Sequence, residues 1–217
     1  MPQHHRPPYS LGGEKIFPPR HLDRSIHNPN FCAWRGVSCS GGSVVALNIA
    51  NCSMRGSISP ALAVLPNLLH LNLSSDHLSG PIPPALSNLS SLESLLLLSN
   101  QLSGPITPQL GSLLNLCLLR IGDNYLTGFI PPQLANLHNL VALGLASCSL
   151  TGPIPPQLGM LPNLQTLLCS RTSWRDLSSL SSPRCCGSAS HWRGHKTAAE
   201  SVSGELGEEE RCGSHHQ

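Results

Sequence analysis

Apolar residues recur along the chain at a fixed interval of 24 residues. The leucine that opens each repeat forms the column Leu47, Leu71, Leu95, Leu119, Leu143 and Leu167. Glycine and isoleucine form two further columns, at Gly56, Gly80, Gly104, Gly128 and Gly152, and at Ile58, Ile82, Ile106, Ile130 and Ile154. A fixed period of this length is the signature of a repeat architecture, in which stacked neighbours bury the apolar face that one repeat cannot bury alone.

One full unit, residues 71–83, reads Leu-Asn-Leu-Ser-Ser-Asp-His-Leu-Ser-Gly-Pro-Ile-Pro. Alternation around Leu71 and Leu73 predicts a short strand with two inward side chains, and the Gly-Pro-Ile-Pro stretch predicts a break and a turn. The unit resembles the plant-specific leucine-rich repeat. The resemblance implies a leucine-rich-repeat solenoid, with α/β-type repeats of the 24-residue class and parallel strands on the concave face. Five to six repeats are expected over residues 43–169.

A polar column follows each predicted strand, and in the resembled family it forms an asparagine ladder. Here it reads Cys52, Asp76, Asn100, Asn124 and Cys148, and it continues to Thr172. An asparagine amide both donates and accepts, so it can satisfy turn backbone groups in two adjacent repeats. Ionised Asp76 can only accept, and the change Asp76→Asn is therefore predicted to stabilise the fold.

Residues 28–39 precede the repeats and contain the pattern Cys-x-Trp-x-Gly-Val-x-Cys. This segment resembles the N-terminal cap of plant leucine-rich-repeat receptors, so a partial cap is expected over residues 28–42. The resemblance implies a disulfide between Cys32 and Cys39, which their spacing permits. Within the family, the amino-acid sequence of residues 92–95, 99–102 and 119–124 resembles that of the GASSHO-type receptor kinases.

Charge is unevenly distributed along the 217 residues, of which 11% are charged, with a formal net charge of +2. Between Ser43 and Cys169 the charged side chains are Arg55, Asp76, Glu93, Arg120 and Asp123. The chain has no basic excess of the kind that nucleic-acid binding requires, and no apolar run of the ~18 residues that a membrane span requires. Residues 1–27 and 170–217 do not match the repeat and are expected to be disordered.

Catalytic chemistry is not expected, because the repeats bring together no nucleophile, base and acid, and no kinase motif is found. No cofactor is expected. The tail carries His and Cys residues, but only His191 and His195 have a zinc-type spacing, so no metal site is expected. Three Asn-x-Ser triplets are glycosylation candidates, at Asn51, Asn72 and Asn88.

The resemblance implies that outward strand residues of the concave face bind a secreted peptide or protein ligand, or a co-receptor. By register these residues are His70, Asn72, Ser94, Leu96, Leu98, Leu118 and Arg120, with Asp123 just beyond the strand. It also implies a plasma-membrane parent with extracellular repeats, although residues 1–27 show no secretory signal. The alternatives are a stand-alone interaction or enzyme-inhibitor protein and a non-functional product of a truncated gene.

Overall fold

A computed structural model describes residues 31–169 of the chain. The expectations of disorder over residues 1–27 and 170–217, the ladder position Thr172 and the histidine pair of the tail lie outside the described residues. The described part opens with a 3-10 helix, η1 (Phe31–Ala33), and strand β1 (Val37–Ser40). A disulfide joins Cys32 to Cys39 with a Cα–Cα distance of 5.6 Å, so the pairing that the cap resemblance implied is confirmed.

Seven strands form the main sheet, in the order β1-β2-β4-β6-β8-β10-β12. Strand β1 pairs antiparallel with β2 (Ser43–Asn48), and from β2 onward all pairs are parallel. The remaining strands are β4 (His70–Asn72), β6 (Ser94–Leu96), β8 (Leu118–Arg120), β10 (Ala142–Gly144) and β12 (Thr166–Leu168). The first leucine column lies in register across β2 to β12, which confirms the 24-residue repeat and the solenoid.

A second row of short parallel strands lies beyond the ladder column, in the order β11-β9-β7-β5-β3. These strands are β3 (Arg55–Ser57), β5 (His77–Gly80), β7 (Gln101–Pro105), β9 (Tyr125–Gly128) and β11 (Ser149–Leu150). The sequence analysis predicted no strand here, and of the predicted Gly-Pro-Ile-Pro break at residues 80–83 only Gly80 lies in a strand of this row. Each of β5, β7, β9 and β11 has a single buried residue, which gives no hydrophobic alternation to indicate a strand.

Four residues of the glycine column lie in this second row, the fifth, Gly152, follows β11, and all five have a conformational role. Gly56, Gly80, Gly104, Gly128 and Gly152 all have φ between 74° and 98°. Side chains rarely adopt that region, so each repeat needs glycine there to turn from the short strand into the following helix.

Each repeat then passes through a five-residue 3-10 helix. These are η2 (Pro60–Val64), η3 (Pro84–Asn88), η4 (Pro108–Ser112), η5 (Pro132–Asn136) and η6 (Pro156–Met160). Proline opens all five, because its missing N–H is not needed in a first helical turn. The helices of residues 31–169 are 3-10 rather than the α-helices that an α/β-type repeat implies.

The core runs without interruption along the solenoid. The leucine and isoleucine columns supply it, and Leu71, Leu95, Leu119 and Leu143 are all fully buried. In the middle of each helix one leucine also points inward, at Leu62, Leu86, Leu110, Leu134 and Leu158. Over residues 31–169 no helix has the length and apolar character needed to cross a membrane.

Candidate functional site

Two rows of outward side chains cross the concave sheet at right angles to its strands. The parallel register places one row at His70, Ser94, Leu118, Ala142 and Thr166. The second row is Asn72, Leu96, Arg120, Gly144 and Leu168. Seven of the eight residues expected to contact a ligand therefore lie in or directly beside these rows, with Leu98 just after β6.

The middle of the face is apolar. Leu96, Leu98 and Leu118 are each half-buried; Leu96 and Leu118 lie on the adjacent strands β6 and β8, and Leu98 lies just after β6. Ser94 is only 8% exposed and forms part of the floor between His70 and Leu118 rather than projecting from it. The three leucines therefore form an apolar contact surface, with the polar Ser94 beneath one side of it.

Arg120 is exposed at the end of β8 and is the one permanently charged residue in the described strands of this sheet. Its neighbour across the sheet is Gly144, where an added Cβ would lie 3.4 Å from Arg120 Cγ. The arginine stem thus lies against the glycine, and Ala142 and Gly144 leave a low, buried floor beside it. This arrangement presents one cation next to a surface that a ligand backbone can approach closely.

Asp123 lies at the rim of the sheet, apart from the strand residues. It is exposed with φ at 50°, and its amide donates to the Ala146 carbonyl at 2.8 Å. It lines an open depression of about 400 Å³ together with Tyr125 and with ladder and turn residues, namely Asn100, Asn124, Ser147, Cys148 and Ser149. Tyr125 is 65% exposed, and sequence reasoning missed it because its 24-residue column has no fixed residue type.

The ladder asparagines Asn100 and Asn124 use both halves of their amides. The Leu78 amide donates to Asn100 Oδ1 at 3.0 Å, and the Leu102 amide donates to Asn124 Oδ1 at 2.9 Å. Each Nδ2 donates to a carbonyl 27 residues earlier, Asn100 to Leu73 at 2.8 Å and Asn124 to Leu97 at 3.0 Å. Both asparagines also donate to carbonyls of their own turn, so the ladder links adjacent repeats.

Asp76 reproduces only the accepting half of this pattern. Its Oδ1 accepts from the amides of Cys52 at 2.8 Å and Met54 at 2.9 Å. Its Oδ2 is buried and has no hydrogen-bond partner among the described residues. Burial raises the pKa of the Asp76 carboxyl above its ordinary range, and the Met54 and Cys52 amides act against that rise.

The ladder cysteines differ from each other. Cys148 is buried, and its Sγ donates to the Ile121 carbonyl 27 residues earlier, at 3.6 Å. Cys52 is half-buried, and its Sγ donates within its own turn to the Ala50 carbonyl at 3.5 Å. Burial raises the pKa of both thiols, so both are neutral at ordinary pH and can only donate weakly.

The three glycosylation candidates occupy different environments. Asn88 is exposed at the last position of η3, on the side of the repeat away from the strands. Asn51 is exposed in a turn with φ at 55°. Asn72 lies on the concave face, where its Oδ1 accepts from the Ser74 amide at 3.1 Å.

A second asparagine column, which the sequence analysis did not single out, links the helical side of the solenoid. Asn115, Asn139 and Asn163 each donate from Nδ2 to a carbonyl 25 residues earlier, at distances of 2.8–3.0 Å. The signal was present, because these residues also recur every 24 positions. Both asparagine columns are structural, and neither presents a group to the concave face.

The sequence of the chain is similar to leucine-rich-repeat proteins. The Leucine Rich Repeat family matches residues 67–89 and 115–137. Over 49 residues the chain is 54% identical to the LRR receptor-like serine/threonine-protein kinase GSO2 of Arabidopsis thaliana, a match that covers 23% of the chain and 4% of that receptor.

Two crystal structures from Arabidopsis thaliana share the fold. The LRR ectodomain of the plant membrane receptor kinase GASSHO1/SCHENGEN3, in complex with CASPARIAN STRIP INTEGRITY FACTOR 2, matches with 55% identity and a TM-score of 0.67 over 68% of this chain. The LRR ectodomain of the receptor kinase SOBIR1 matches with 30% identity and a TM-score of 0.63 over 71% of this chain. The match spans 18% of the first ectodomain and 90% of the second.

Proposed function

The chain belongs to the plant leucine-rich-repeat receptor-kinase ectodomain family, and from this membership we propose that it is a non-catalytic module that binds a secreted peptide on its concave face. The matched segments of the receptor kinases are repeats, which supports binding rather than catalysis as the activity of residues 43–169. An extracellular position belongs to the same proposal, and exposed Asn88 is then the sequon best placed to carry a glycan.

The observation that carries this proposal is the row formed by Leu96, Arg120 and Gly144. It places an apolar side chain, a cation and a glycine side by side, and the missing side chain of the glycine leaves room for a ligand backbone. This arrangement suits an extended peptide with an anionic group and a small residue next to it. Six concave strands, β2 to β12, cover about 24 Å at ~4.8 Å per strand. That length accommodates about seven extended residues at ~3.3 Å each.

A binding experiment with the full chain tests this placement. The probe is a synthetic CASPARIAN STRIP INTEGRITY FACTOR 2 peptide, because that factor is bound in the structure of the related GASSHO1/SCHENGEN3 ectodomain. We expect Arg120→Ala to weaken binding about tenfold in isothermal titration calorimetry, since a charge-assisted hydrogen bond contributes about 1.5 kcal/mol or more. Arg55→Ala is the matched control, because Arg55 is equally exposed but lies on β3, outside the concave sheet.

The two arginine variants separate the possible results. Equal affinities for Arg120→Ala and Arg55→Ala would show that the peptide binds elsewhere. A selective loss with Arg120→Ala, together with a similar loss for Leu98→Ala, would place the peptide on the rows described above.

A further inference from the structure

The ladder imposes the same hydrogen-bond pattern on each of its central members. The accepted amide lies 22 residues before the ladder residue, as in the pairs Leu78 with Asn100 and Leu102 with Asn124. The carbonyl that receives the donated bond lies 27 residues before it, and Cys148 keeps this offset through its thiol. The backbone around the ladder is therefore built for a side chain that both accepts and donates.

Asp76 occupies this position with half of the pattern complete. The amide 22 residues earlier, that of Met54, donates to its Oδ1. By the offset of 27 residues, the corresponding carbonyl is that of Ile49. Asp76 is 5% exposed, and its Oδ2 is the buried atom that occupies the place of the amide nitrogen of asparagine.

A neutral carboxyl group completes the pattern, whereas a carboxylate does not. In the neutral form Oδ1 still accepts two amides through its two lone pairs, and an Oδ2–H group donates as Asn Nδ2 does. In the ionised form, Oδ2 is a buried acceptor in a position whose counterparts face carbonyl oxygens. Burial of the charge is costly and Oδ2 has no partner to offset that cost, although the amides of Met54, Cys52 and Ser53 favour the carboxylate. The folded protein therefore binds the proton more readily than the unfolded chain does.

We propose that the Asp76 carboxyl takes up a proton in the folded solenoid as the pH falls and then acts as a hydrogen-bond donor, so that acidity strengthens the junction between the first two repeats. The junction consists of the turn carrying Cys52 and Met54 and the turn carrying Asp76, joined through Oδ1. Loss of the proton removes the donated bond and leaves a charge between these two turns.

Few other ionisable groups lie around this carboxyl. His77 on the same turn favours the carboxylate when it is charged, whereas the Cys52 thiol on the preceding turn is neutral because burial raises its pKa. Arg35 of the cap acts on Cys52, and Arg55 lies opposite His77 across the β3–β5 pair. The following turn presents the Asn100 side chain, which does not titrate.

The direction of the pH dependence follows from the burial of the carboxyl. Its folded pKa is raised above the unfolded value of about 3.9. The stabilisation is therefore complete below the unfolded pKa and is lost as pH rises through the folded pKa. Between the two values, the folding equilibrium constant falls by about tenfold per pH unit.

The experiment is amide hydrogen exchange on the full chain across this pH range, read by NMR and corrected for intrinsic exchange rates. We expect protection of the Ile49 and Asn51 amides to fall as pH rises, because they donate to the Asn72 and Ser74 carbonyls across this junction and not to the carboxyl group. The Leu73 and Ser75 amides are matched internal controls, because they make the same bonds, to the Leu96 and Leu98 carbonyls, at the next repeat boundary. Their protection should change less than twofold.

Two further measurements make the result decisive. The Asp76 carboxyl carbon should titrate above the ordinary aspartate range, and Asp76→Asn should abolish the pH dependence at Ile49 and Asn51. Asp123→Asn is the control, because Asp123 is exposed. A parallel loss of protection at all four amides, or titration of Asp76 at or below the ordinary range, would overturn the proposal.

Discussion

Asp76 and Asn124 occupy the same position two repeats apart, yet the backbone around them is satisfied to different degrees. Asn124 makes four hydrogen bonds through its side chain, three of them donated by Nδ2 to carbonyls of two repeats. Asp76 accepts two bonds through Oδ1 and makes none through Oδ2. The backbone tolerates this because the accepting half of the pattern is enough to hold the turn.

This difference separates two roles of a ladder residue. Acceptance fixes the turn of the preceding repeat, and every acidic or amide member supplies it. Donation reaches carbonyls on both sides of the repeat boundary and depends on residue type: asparagine supplies it strongly, cysteine weakly, and aspartate only when protonated. Stability along the solenoid should therefore vary from one repeat boundary to the next.

The largest effect is expected from Asn124→Ala, which removes both roles at once. The Leu102 amide would then be buried without its side-chain partner, and the Leu97 carbonyl would keep only the bond from Asn100 Nδ2 at 3.2 Å. An unsatisfied buried group costs about 1–3 kcal/mol and each further lost bond about 1 kcal/mol, so the free energy of unfolding should fall by about 4 kcal/mol. Urea denaturation measures it, and Asn136→Ala, at an exposed residue at the end of η5, should change it by less than about 0.5 kcal/mol.

Next in size is Asn100→Asp, which would give the middle of the solenoid the chemistry of residue 76. Oδ1 can still accept from Leu78, but the bond donated to Leu73 is lost in the ionised form. We expect a loss of about 2 kcal/mol at neutral pH. The loss should diminish on acidification, because the raised pKa of a buried carboxyl restores the donor. Equal losses at pH 4 and pH 7 would contradict this explanation.

A smaller effect of opposite sign is expected from Asp76→Asn. The new amide supplies the missing donor and removes a buried charge, so the free energy of unfolding should rise by about 1 kcal/mol at neutral pH. Thermal melting compared with exposed Asp123→Asn gives the test. A melting temperature equal to or below that of the unaltered chain would show that Oδ2 does not need a partner.

A loss of similarly small size is expected from Cys148→Ala. The thiol donates weakly to Ile121 and otherwise fills space, so its loss should lower the free energy of unfolding by about 1 kcal/mol. Urea denaturation alongside Ser149→Ala, at an exposed neighbour, measures it. A loss as large as that of Asn124→Ala would mean that the cysteine is a full ladder member.

The 24-residue columns, together with the family resemblance that they carry, were enough to predict the solenoid, the buried leucines and the ladder positions. Period alone does not indicate local hydrogen bonding, which is why the second strand row and the 3-10 helices were not predicted. Within the candidate site, the register of Leu96 and Arg120 followed from sequence. The burial of Ser94 and the depression beside Tyr125 depend on the size of neighbouring side chains, which no fixed spacing encodes.

The bonds that reach back 27 residues also determine how the molecule would respond to a pulling force. Stacked repeats separate at the boundary with the weakest contacts, because each repeat touches only its neighbours. Between Asn124 and the preceding repeat a donated bond must break, whereas ionised Asp76 offers none to break. We therefore expect a stretched solenoid to separate first at the boundary beside Asp76. The cap and first repeat would then move apart from the later repeats as one unit.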